Sequence, residues 1–121
     1  IVFAIRFHAA RRQRVARRGI QKVIDALHAG QNPVLCAQQV STIMRRFAMT
    51  ISDEPDVVAG LAGQDWLAFL DASWGGTSFT RGEGRLLLSA PYKDEGGLDQ
   101  KHCLELGLLC MTWIKAQPVR I

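Results

Sequence analysis

The sequence has 121 residues, enough for one domain with a modest core, and 48% of them are hydrophobic. Its formal charge of +4 is lopsided: Arg6, Arg11, Arg12, Arg14, Arg17, Arg18 and Lys22 precede the first acid, Asp25, and the rest carries eleven acids against eight cations. That distribution argues against a DNA-binding body, and three cysteines in apolar surroundings argue against a disulfide framework.

The opening residues 1–5 are apolar but far short of the roughly 20 needed to cross a bilayer. They are not a signal peptide, because charge follows the apolar run instead of preceding it. With no Met at its start, the sequence reads as a piece of a longer chain whose transmembrane span lies upstream. Residues 3–29 predict one helix, interrupted only by Gly19. The arginines of its first half are expected to point in all directions, solvated or at a charged lipid surface. From Gly19 the helix is expected to join the core through Ile20, Val23, Ile24 and Leu27. Residues 1–18 are therefore assigned to the juxtamembrane end of an anchor helix, and residues 19–121 to a helical interaction domain.

Gly30-Gln31-Asn32-Pro33 stops the first helix and restarts the chain. Residues 33–50 predict a second helix, with Val40, Ile43, Met44, Phe47 and Ile51 on one face and Arg45 and Arg46 reaching solvent beside it. Ser52-Asp53-Glu54-Pro55-Asp56 reads as a helix entry, followed by a short piece that breaks at Gly60 or Gly63. Residues 64–74 form the next helix, rich in large apolar groups. The Gly-rich stretch 75–84 is a connector with Phe79 as its inward anchor. Residues 85–89 suit either a helical turn or a short strand. Residues 98–116 form the closing helix, which has a second apolar stripe of Leu104, Leu108 and Met111. Either that helix is buried on most sides or the stripe meets a partner protein. The fold class is all-α, a compact bundle of about five helices.

The chain offers little to catalysis. His8, His28 and His102 are scattered, and His102 and Cys103 diverge by about 100° on a helix, so no metal site is expected. No nucleophile elbow or phosphate-binding glycine loop is present, and helix capping accounts for the paired acids. Neither catalytic nor cofactor-binding residues are expected, and the chain is read as a non-enzyme. The arginine arm admits a nucleic-acid reading, but Gln13 is the only base-reading side chain among its charges. An apolar run followed by cations suits a cytoplasmic membrane exit better.

Trp66-Leu67-Ala68-Phe69-Leu70-Asp71, Phe79, Gly82-Glu83-Gly84-Arg85, Leu87-Leu88, Ala90-Pro91-Tyr92 and the pair Trp113-Ile114 resemble a bacterial membrane protein family, domain of unknown function 4381. The resemblance implies an N-terminal transmembrane helix, an arginine-rich run after it and a helical domain. It also implies a setting beside MoxR-type AAA+ ATPases and von Willebrand factor A domain proteins of the Bat kind. The expected role is a non-enzymatic, membrane-anchored adaptor at the bacterial inner membrane, its domain facing the cytoplasm, in a chaperone-like system with those protein partners. A small helical nucleic-acid-binding or regulatory protein is the alternative. Arg6, Arg11, Arg12, Arg14, Arg17 and Arg18 would face the anionic membrane surface. Leu104, Leu108 and Met111 would offer the partner face, and Trp66, Phe69, Leu70, Phe79, Tyr92 and Trp113 the structural core.

Overall fold

The computed structural model describes residues 2–89 and 97–118, with side chains from Ala10 onward. Tyr92 and the side chain of Arg6 lie outside the described residues. Every described element is helical: α1 (Val2–His28), α2 (Pro33–Ile51), α3 (Pro55–Gly60), α4 (Gly63–Ala72), a 3-10 turn (Glu83–Arg85), α5 (Leu86–Ser89) and α6 (Gln100–Ala116). The expected five helices become six because residues 86–89 adopt a helical turn.

Local chemistry sets these boundaries. Asn32 closes the first orphan donor of α2 by accepting from Val34 N–H at 2.8 Å, and Pro33 occupies the first turn, where it forfeits no bond. Asp99 does the same for α6, accepting from His102 N–H at 2.8 Å, so the helix begins at Gln100 instead of Leu98. That bond, together with the His102 ring, holds the Asp99 carboxyl below its ordinary range. α4 stops two residues before Trp74. Its last carbonyls turn inward, with Asp71 C=O accepting from Trp74 and Gly75 N–H, and the chain then leaves through Gly75 at φ 87°.

α1, α2 and α6 pack on one another and form the frame. Gly19 lets α1 approach α2 closely: a β-carbon there would stand 3.0 Å from Ile43 Cδ1. Gln100 near the start of α6 donates to the Leu27 carbonyl, and Gln13 reaches the end of α6. α1 thus runs antiparallel to both α2 and α6, and its arginine-rich half lies at their C-terminal ends.

The core is filled by Ile20, Leu27, Met44, Leu67, Leu70, Phe79, Leu106, Trp113 and Ile114, all essentially inaccessible. Trp113 is its hub. Its ring meets Phe47 edge-on at 6.0 Å and Phe79 at 6.4 Å, and its Nε1–H donates to Leu70 C=O at 2.9 Å. Gly84 packs against the Phe79 backbone and ring, where any β-carbon would overlap both.

Asp71 organises the connector. This buried carboxylate accepts from Phe79 N–H at 2.9 Å, Thr80 N–H at 3.0 Å and the Thr80 hydroxyl at 2.6 Å. Removing it strands two amides, one of them buried, so Asp71→Ala should cost about 2–3 kcal/mol. Chemical denaturation checks the loss, and hydrogen exchange at Phe79 and Thr80 should accelerate before global unfolding.

Cys36, Cys103 and Cys110 are buried free thiols. Burial raises all three, and Cys103 is pushed up to about 11 from an ordinary 9.0. The unfolded chain therefore ionises first as pH climbs. Thiol-linked stability is fully present below about pH 9 and drains away as pH rises through about 11. Urea midpoints under reducing conditions should drop between pH 8.5 and 10.5, by less in a Cys103→Ala chain compared with its own value at pH 8.5.

Candidate membrane-surface face

Once α1 is docked, its two sides have different chemistry. Ala16, Ile20, Val23, Ile24 and Leu27 face the core. Gln13 extends that inner side by another turn: its amide donates to Ile114 C=O at 3.0 Å, which also accepts from Gln117 N–H, and to Gln117 C=O at 2.9 Å, so it ties α1 to the C-terminal end of α6. The helix therefore joins the body at Gln13 and Ala16, ahead of the expected Gly19. The signal was the i, i+3, i+7 spacing of Gln13, Ala16 and Ile20, hidden because a glutamine does not register as an inward residue.

Docking fixes where the cations go. Arg11, Arg14, Arg18 and Lys22 recur at spacings of three and four on the outward face and are all exposed. Val15, 60% exposed, sits among them. Arg12 and Arg17, also exposed, flank the stripe. The described arginines leave one side of the helix dry, the side supplied by Gln13 and Ala16, and Arg11, Arg14, Arg18 and Lys22 lie opposite it. Among the described residues no carboxylate forms an ion pair with any of them. The C-terminal ends of α2 and α6 lie beside this half of α1, and their partial negative charge offsets part of the mutual repulsion.

The neighbouring end of α2 carries the opposite charge. Asp53, Glu54 and Asp56 are exposed at the turn into α3, together with Ile51 and Val57. Eight residues separate Gly19 from Arg11 and Ile43 from Ile51, which places this acidic turn near the level of Arg11, at the N-terminal end of the basic stripe. A shallow groove between α1 and α2, lined by Lys22, Val23, Ala26, Leu35, Gln39 and Ile43, runs alongside.

The other predicted residues fall as follows. Trp66, Leu70, Phe79 and Trp113 are buried, and Phe69 is half-buried with its ring stacked on Trp66 at 5.9 Å. The second stripe of α6 is divided: Met111 is buried within the chain and so presents no surface to a partner, Leu104 is half-buried and Leu108 is 51% exposed. Arg46 is exposed, but Arg45 is not free in solvent as expected. Its guanidinium stacks 3.9 Å from the Trp66 ring centre and donates to Val58 C=O at 2.9 Å and Leu61 C=O at 2.8 Å, closing the end of α3. Sequence reasoning also did not foresee that Glu83 meets His102 and Glu105 across the connector.

These features define a small all-α domain whose leading helix is clamped into the bundle on one side and cationic on the other. Over residues 1–116 the chain matches the family described as domain of unknown function (DUF4381), and it belongs to that family. No curated protein and no solved structure matches it. No helix among the described residues is long and apolar enough to cross a membrane.

Proposed function

We propose that this domain is a non-enzymatic adaptor held at the cytoplasmic side of the bacterial inner membrane, with α1 laid against anionic headgroups. The observation that carries this reading is the outward stripe of Arg11, Arg14, Arg18 and Lys22, which no carboxylate pairs with among the described residues, in one helix with the apolar opening turn. Each such cation near an anionic bilayer contributes about 1 kcal/mol of attraction, which decays within a Debye length. The acidic turn at Asp53, Glu54 and Asp56 is repelled by the same surface, so the bundle rests on its α1 side and presents the α2–α3 side to the cytoplasm. The sequence resemblance supports a MoxR-type ATPase and a von Willebrand factor A domain protein as the protein partners, with Leu108 an apolar contact on α6. Co-purification of those proteins with the complete gene product tests the partnership; their absence from a stoichiometric complex removes it.

Vesicle sedimentation tests the surface. The 121-residue chain should bind vesicles containing phosphatidylglycerol and ignore purely zwitterionic ones, and 0.5 M salt should release it. Replacing Arg11, Arg14, Arg18 and Lys22 with Gln should lower binding by at least tenfold without unfolding the bundle, since all four side chains are exposed. Equal binding by the two proteins would dismiss the stripe. Salt-sensitive retardation of DNA at concentrations where anionic vesicles stay free would instead favour a nucleic-acid role.

A further inference from the structure

A second cluster lies on another part of the molecule, where the 3-10 turn meets the first turns of α6. Glu83, His102 and Glu105 bring their ligating atoms within 4.8 Å of one another. We propose that these three side chains bind a divalent transition-metal ion of the zinc class. Imidazole nitrogen with two carboxylate oxygens is a donor set that zinc accepts, three protein ligands plus solvent completing four-coordination. Tetrahedral bonds of about 2.0–2.1 Å would draw the donors to roughly 3.4 Å apart, a contraction within reach of side-chain torsions alone.

The surroundings favour an ion over accident. His102 and Glu105 are one helical turn apart on α6 and project from the same side. Glu83 comes from a different element and is held by a fixed backbone: Gly82 and Gly84 N–H both donate to Ser78 C=O, at 3.1 and 2.9 Å, and Gly84 is wedged against Phe79. Outside the three ligands, Asp99 Oδ1 lies 2.7 Å from His102 Nδ1 and also caps α6. A proton on Nδ1 directed at Asp99 would leave the Nε2 lone pair for the metal. This is the outer carboxylate arrangement that orients metal-bound histidines. Among the described residues no cation forms an ion pair with Glu83 or Glu105.

Titration calorimetry of the reduced 121-residue chain with zinc, and in parallel with magnesium, tests the proposal. One equivalent of zinc should bind and magnesium should not, because imidazole discriminates against it. Glu83→Gln and Glu105→Gln should each weaken zinc at least tenfold, and His102→Ala should remove binding. Asp99→Asn keeps an acceptor for the α6 cap and should weaken zinc about tenfold through the ring alone. Circular dichroism should show each variant folded in the absence of metal. No measurable zinc binding by the parent chain would overturn the site. So would undiminished binding by the combined Glu83→Gln, His102→Ala, Glu105→Gln chain, which would place the ion on other histidines or on thiols.

Discussion

Trp113→Ala should lower stability by about 5 kcal/mol and leave the chain largely unfolded at 37 °C. Truncating a buried tryptophan costs about 3–5 kcal/mol through lost transfer energy and the cavity left behind. Here the lost Nε1–H bond also leaves the Leu70 carbonyl without its donor, adding about 1 kcal/mol. Phe47 and Phe79 both lean on this ring, so neither can collapse into the space without surrendering its other contacts. Domains of this size hold roughly 5–15 kcal/mol in total, so the loss consumes a third or more of it. Trp113→Phe keeps most of the volume and should cost only about 1–2 kcal/mol. Urea denaturation of the three proteins gives the ordering, and a Trp113→Ala chain as stable as its parent would refute the placement of the hub.

The second large effect is expected at Trp66. Trp66→Ala removes a buried ring and, with it, the platform for Arg45 and Phe69, at about 3–5 kcal/mol. The result should be global unfolding, not the selective loss of an interaction. Arg45→Ala tests the coupling separately. It should cost about 1–2 kcal/mol, for the stacking and for the two hydrogen bonds lost at the end of α3, where Val58 C=O keeps the Leu61 N–H and Leu61 C=O loses the guanidinium. The double variant should cost less than the sum, because each change already breaks the stack. A folded Trp66→Ala chain with unchanged melting but lost binding would show that the ring serves a partner instead.

The large features of this bundle are legible in its sequence for physical reasons. α1, α2 and α6 are long and periodic, so the spacing of Ile20, Val23, Ile24 and Leu27, or of Val40, Met44 and Phe47, points to one buried face regardless of what covers it. Phe79 could be recognised as an anchor because it is the lone large apolar group in a glycine-rich connector. What stayed hidden depends on contacts distant in sequence. Gln13 looks like surface until the end of α6, about a hundred positions later, is placed beside it. Arg45 looks solvated until α3 ends under it and Trp66 rises beneath it. Asp71 reads as an ordinary helix acid, yet its carboxylate orders the connector that follows. Likewise, the His102 to Glu105 spacing is unremarkable until the connector delivers Glu83.

The membrane assignment has the same character. The run of arginines along α1 suggested a cationic arm, but only the docking of Gln13 and Ala16 shows which side of the helix remains free. Arg11, Arg14, Arg18 and Lys22 then form one surface, and their joint neutralisation is a sharper experiment than removing arginines singly.

Fractionation of cells expressing the complete gene tests the account most directly. The adaptor reading predicts that the product sediments with the inner membrane and resists an alkaline carbonate wash, with its bundle accessible to protease only from the cytoplasmic side. Recovery of the complete product in the soluble fraction at physiological salt would contradict it.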